Sequence, residues 1–263
     1  MSDRGWSHEQ LVLAFWFYCQ TPFGQLHQRN PRVIELAALI GRTPSALAMK
    51  CCNIASLDPT IRASGRAGLG NASAGDRSIW DEFHADWDGL ALEAERLLAT
   101  LDTGRANPLL HPSTDTDALP DYTGHTRPAL VQQRIGQAFF RRSVLSSYGS
   151  RCCISGTSEP TLLVASHIVA WSDDPANRLN PSNGLCLSAI HDKAFDTHLF
   201  TLSDDLRIVL SERLRVTEDA FLREVFWPTE GREITLPEKF APDLALISIH
   251  RGKTLSPSNP MDS

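Results

Sequence analysis

Leu162–Leu199 reads LLVASHIVAWSDDPANRLNPSNGLCLSAIHDKAFDTHL. An apolar, β-branched run ends on His167, so a strand is expected to carry the imidazole at its tip. Pro, Asn, Ser and Gly follow and mark a loop, which closes with Asn183-Gly184 before a second short apolar run. His191 and Asp192 then open a segment, HDKAFD, with helical spacing. Strand, loop, strand and helix thus present two imidazoles, a carboxamide and a carboxylate within one short unit.

Working outward, RCCISG (151–156) and TLLVASHIVAW (161–171) read as paired strands. Upstream, ALVQQRIGQAFFRRSVLSSYG reads as a helix with Arg134, Gln137, Arg141 and Arg142 on its polar face. Downstream, FTLSDDLRIVLSERL reads as a hairpin turning near Asp204-Asp205, and the tail as a short strand, two prolines and a terminal helix.

The first hundred residues read as helices. Ser7 caps a helix over 6–20 with Gln10 at the capping-box position, Pro31 opens a second that Gly41 closes, and Thr43 or Ser45 caps a third. Helix, tight turn and helix form a helix-turn-helix-like pattern, with Thr43, Ser45 and Lys50 expected near the exposed face of the second helix. An acidic helix is expected over 76–101, with Trp80, Phe83, Trp87, Leu90 and Leu98 as its packing stripe. Residues 102–127, rich in Pro, Asp, Thr and Gly, read as a linker. The expected organisation is therefore a helical domain (1–101), a linker (102–127) and a second domain (128–263).

Charge is unevenly spread. The net charge is −6, which argues against a uniformly basic coat. Residues 71–121 carry a net −8, whereas 122–158 carry five arginines and no acid. That cationic segment includes Arg134, Arg141, Arg142 and Arg151, suited to tracking phosphates. The six cysteines include two adjacent pairs and no CxxC, which favours free thiols in a reducing compartment. The apolar runs are too short and interrupted for a membrane span or a secretory leader, so a cytoplasmic protein is expected.

The segment resembles the HNH (ββα-metal) nuclease family, in the subgroup written CxxTG…ASHIxPW…NGLxLxxxHxxxFD. The matching residues are Cys152, Ser155-Gly156, Ala165-Ser166-His167-Ile168, Trp171, Asn183-Gly184-Leu185, His191 and Phe195-Asp196. The flanks RIGQAFFRRSVLSSYGSRC and EGREITLPEKFAPDLALISIHR resemble those of bacterial HNH proteins, so the likeness runs from about 128 to 253. Residues 1–101 look like an N-terminal domain often paired with it.

The resemblance implies an α+β fold, a helical N-terminal domain followed by a ββα-metal domain, and hydrolysis of DNA phosphodiesters. Such a reaction needs a base for water and a cation at the phosphate. By resemblance His167 is the general base, Asn183 the orienting residue, and His191 or Asp192 the ligand of a divalent ion, Mg²⁺ or Mn²⁺. Arg134, Arg141, Arg142, Arg151 and Lys50 are the expected nucleic-acid contacts. Two departures stand out. Ser166 occupies the place where many family members carry an Asp ligand. Both His191 and Asp192 lie near the helix-ligand position, eight and nine residues after Asn183. Asp196, a further carboxylate, reads more readily as a capping or ion-paired residue. One such site cuts one strand, so a double-strand break needs a homodimer or two successive events. The rival expectation is a helix-turn-helix DNA-binding regulator with a degenerate HNH domain.

Overall fold

The computed structural model describes residues 5–65, 70–101 and 127–256, with side chains from residue 132 onward in the last of these. The expected linker falls almost entirely outside the described residues. Helix α1 (His8–Cys19) starts as its sequence dictates, with Ser7 and Gln10 forming a reciprocal capping box. Every residue from Leu11 to Cys19 is buried, so α1 is wrapped on all sides rather than amphipathic. The chain continues through α2 (Pro31–Leu39), α3 (Pro44–Ala55), the short α4 (Pro59–Ala63), α5 (Ala74–Ala85) and α6 (Trp87–Leu101), of which α3, α5 and α6 pack on α1 together with α7 (Arg127–Ser147). Pro stands at the first turn of α2, α3 and α4, where its missing N–H costs no helix bond.

The single acidic helix expected over 76–101 is two helices broken at Asp86, whose backbone is extended at ψ 81°. The break lets Phe83 and Trp87 both turn inward onto Phe15, which stacks on Phe83 at 4.2 Å between ring centroids. Between α2 and α3, Gly41 takes φ +67°, a conformation that costs glycine little. Thr43 caps α3. Lys50 is not on an exposed face: it is buried and paired with Asp76 of α5. The periodicity of α3 alone did not show that α5 covers this flank.

Helix α7 (Arg127–Ser147) connects the two halves. It packs against α1 and α6 on one side and against the hairpin of β1 (Leu163–His167) and β2 (Gly184–Ser188) on the other. The hairpin is antiparallel, with Leu163 opposite Ser188 and His167 opposite Gly184. RCCISG forms no strand. It makes a turn in which the Cys152 N–H donates to Thr157 O, while the Cys153 N–H donates to Cys186 O at 2.8 Å. Helix α8 (Ala189–Asp196) then crosses β1 and β2. The expected second hairpin is present as β3 (Phe200–Leu202) and β4 (Ile208–Leu210). The chain continues through α9 (Glu212–Arg215) and α10 (Ala220–Phe226) to α11 (Leu244–Leu255), which lies on β3. The tail's expected strand is a single bridge between Arg207 and Glu233. The architecture is α+β, helical first and with small sheets later. Among the described residues, no helix is long and apolar enough to cross a membrane.

Candidate active site

The pleat of β1 separates two neighbours. Ser166, only 2% exposed, lies toward α8, whereas the His167 ring stacks flat on Phe140 of α7 at 3.8 Å and meets Trp171 edge-on. His167 Nε2 lies 3.0 Å from the carbonyl oxygen of Arg178. A carbonyl only accepts, so Nε2 carries the proton and a neutral ring keeps its lone pair on Nδ1. Burial holds the His167 pKa below the ordinary value, opposed by the Arg178 carbonyl. The imidazole is therefore neutral at pH 7 with Nδ1 as its basic atom.

Asn183 is fully buried and pins the loop between the strands. Its Oδ1 accepts from the Val169 N–H at 2.9 Å, and its Nδ2 donates to the carbonyls of Val169 and Asn177, each at 3.1 Å. The carboxamide thus shapes the loop whose Arg178 carbonyl orients His167, and touches the ring only through that loop. Arg178 is held in turn, its Nε donating to Trp171 O at 2.9 Å. Gly184 follows for steric reasons: a Cβ there would overlap Val144 Cγ2 and crowd Phe140, the ring beneath His167.

His191 and Asp192 diverge. His191 is buried, with Nδ1 2.7 Å from Ser188 Oγ and 4.0 Å from Cys152 Sγ, and its ring lies edge-on to Phe226. Cys152 gains from this neighbour. Burial raises its pKa, but hydrogen bonding by His191 and by Ser155 outweighs that and brings it to about 6. Asp192, half-buried, faces the other way, toward Ser166. Burial raises its pKa, while Ser166 and Lys193 counteract. One turn on, the exposed Asp196 is raised to about 6 by desolvation and by the Asp192 charge. Two carboxylates at i and i+4 share a helix face and repel each other. The Ser166 hydroxyl beside them is buried and has no hydrogen-bond partner of normal geometry.

That donor set fits a hard divalent cation. Two mutually repelling carboxylates and the hydroxyl beside them are oxygen ligands of the kind Mg²⁺ and Mn²⁺ prefer. Among the described residues, no group of three His, Cys, Asp or Glu converges. The candidate ligands are two acids and a serine, and His191 turns instead to Ser188, Cys152 and Phe226.

The expected nucleic-acid contacts are dispersed. Arg134 is exposed two helical turns before Arg141, on the same face of α7. Arg141 donates to Leu163 O at 2.8 Å, and Arg142 is half-buried with Glu95 of α6 at 3.3 Å. Arg151 is exposed, 3.4 Å from Gly156 O. Lys50 is remote from this group by its burial against Asp76. Sequence reasoning did not identify Arg178 or Phe140. Arg178 acts through its backbone, which leaves no side-chain signature, and Phe140 read as ordinary core.

A two-stranded hairpin crossed by a helix, with an imidazole at the strand tip and carboxylates on the helix, is a ββα arrangement. Residues 152–203 match the family model described as HNH endonuclease. The segment running from the Cys152 turn through β3 is thus an HNH domain, and at the level of the family such a domain is a nuclease acting on nucleic acid. No curated protein matches the chain.

Proposed function

We propose that the chain is a divalent-metal-dependent endonuclease that hydrolyses DNA phosphodiester bonds, serving restriction of foreign DNA. The observation that carries this reading is a neutral His167, oriented by the Arg178 carbonyl at the tip of β1, inside the segment that matches the HNH endonuclease model. His167 takes a proton from water at Nδ1, and the Arg178 carbonyl stabilises the imidazolium that results through Nε2–H. Asn183 keeps the loop, and hence that carbonyl, in place. Asp192 and Asp196, with Ser166, would hold the cation, while His191 secures the start of α8. A divalent cation at these groups supplies charge neutralisation at the phosphate. Arg134, Arg141 and Arg151 align the substrate backbone, with residues 1–101 as a helical module offering Thr43 and Ser45 to DNA and 128–263 as the nuclease unit.

Ser166 in a ligand position favours a second reading, a DNA-binding regulator, because a neutral hydroxyl binds a cation more weakly than a carboxylate. Nicking of supercoiled plasmid, methylated and unmethylated, across Mg²⁺, Mn²⁺, Co²⁺ and Ni²⁺ separates the two. Cleavage by wild type and none by His167→Ala supports the nuclease. DNA binding without cleavage in every metal supports the regulator.

A further inference from the structure

A cleft of about 280 Å³ lies between the end of α1, the start of α2 and the outer face of α7. Three guanidinium groups line it, from Arg32, Arg141 and Arg142, and no acidic side chain does. All three are half-buried. Arg32 gives one N–H to Gln20 O at 3.4 Å, Arg141 one to Leu163 O and Arg142 one to Glu95. An arginine has five N–H donors, so most of these remain unspent on protein acceptors. The charges are also under-compensated. The Arg32 pKa is lowered by burial and then by the Arg142 charge, with Glu35 opposing, and that of Arg142 is lowered by burial, with Glu95 opposing. Below them the Ser146 hydroxyl is buried and has no hydrogen-bond partner.

Burying like charges side by side is unfavourable unless an anion joins them. A planar fork of donors suits the oxygens of phosphate better than a point charge does. We infer that this cleft binds a phosphate group, with Arg32 of the helical module and Arg141 of the nuclease helix on either side of it. The proposal rests on the nuclease reading only for the source of the phosphate. Arg141 also donates to Leu163 O at the start of β1, the strand that ends on His167, which makes a nucleic-acid backbone one source of such a phosphate. The other source is a free, phosphate-bearing small molecule.

Thermal unfolding of the full chain in inorganic phosphate, against chloride at equal ionic strength, tests the site without turnover. Phosphate is expected to raise the wild-type midpoint by about 2 °C or more beyond its effect on Arg32→Gln. General salt effects are common to both proteins and cancel. Arg32→Gln removes a repulsion with Arg142 and is expected to fold. Arg32→Lys, which keeps the charge and loses the fork, is expected to lose part of the response and serves if the Gln variant does not fold. Equal responses of wild type and variants to phosphate overturn the proposal. DNA binding in EDTA then identifies the source. A salt-dependence slope shallower by about 0.9 in Arg32→Gln assigns a backbone phosphate. An unchanged slope with the phosphate response intact assigns a free ligand. Loss of plasmid cleavage alone, with the phosphate response present, counts against the nuclease reading and leaves the cleft standing.

Discussion

The basic nitrogen of His167 is chosen by a backbone atom. Because Arg178 O fixes the proton on Nε2, replacing the ring removes both the proton acceptor and its orientation. His167→Ala is expected to lower the cleavage rate by about 10²–10⁴-fold while DNA affinity in EDTA stays near wild type; loss of both together would mean that the ring acts in binding. The carboxylates make a separate prediction. Asp192→Asn is expected to weaken Mn²⁺ binding, read by titration calorimetry, by about tenfold or more, and Asp196→Asn likewise, whereas His191→Gln leaves it within a few-fold. Equal losses for all three would return His191 to the ligand set. The order and spacing of His167, Asn183 and Asp192, with the family resemblance, singled these residues out as candidates. They could not separate Asp192 from His191, since adjacent helix residues point about 100° apart and the phase is set by what α8 packs on. Lys50 was misplaced for the same reason.

At the scale of the element, the loop between β1 and β2 is held mainly by one buried amide. Asn183→Ala leaves the N–H and the carbonyl of Val169 without their partner in the interior, while Asn177 O keeps the Asn180 N–H, at a cost of about 2–4 kcal/mol in unfolding free energy. Urea titration measures the loss, and a variant as stable as wild type would show that water replaces the amide. Helix α11 is docked through His250, whose ring stacks on Phe195 at 3.7 Å, donates from Nε2 to Phe195 O and accepts at Nδ1 from the Thr201 hydroxyl. Burial brings its pKa down to about 4. The folded state therefore resists protonation that the unfolded chain accepts near 6.5, and stability falls as pH drops from 6.5 to 4. This group alone contributes up to about 3 kcal/mol of that fall. The slope of stability against pH over this window should flatten in His250→Gln, and an unaltered slope would assign the acid sensitivity elsewhere. Helices α1, α2, α3, α7, α8 and α11, the second hairpin and the caps Ser7 and Thr43 were legible from periodicity and cap chemistry, whereas the break at Asp86 and the short α4, α9 and α10 were not. The partner of β1 was not: RCCISG and GLCLS are both short apolar runs, and only the three-dimensional closure over Asn183 selects the second.

Across the whole molecule, the expected separation of a helical domain from a nuclease domain meets a shared interior. One buried apolar cluster runs from Leu11 through Phe139 to Ile247, and α7 belongs to both halves. Composition showed the change of character near residue 102 but carries no information about which faces meet. The tail closes the join. Phe240 N–H donates to the Asp58 carboxylate at 3.1 Å and Ala241 N–H to Thr60 Oγ1 at 3.0 Å. Lys239, wholly buried, donates through Nζ to Tyr18 O and to Thr21 O, carbonyls at the C-terminal end of α1. A cation belongs at that end of a helix, yet burial lowers the Lys239 pKa to about 8, with the neighbouring Cys19 and Asp58 opposing. Lys239→Met takes the ammonium donor from both carbonyls, of which Tyr18 O keeps the Thr21 N–H, and is expected to cost about 1–3 kcal/mol at pH 7. The folded protein releases this proton near 8 and the unfolded chain near 10.4, so between those values the unfolded state binds more protons and wild type gains stability relative to the variant. Paired urea titrations at pH 7, 9 and 10.5 should therefore show the gap between wild type and Lys239→Met widening with pH. A gap that narrows would mean that the charged ammonium, and not its hydrogen bonds, joins the tail to α1.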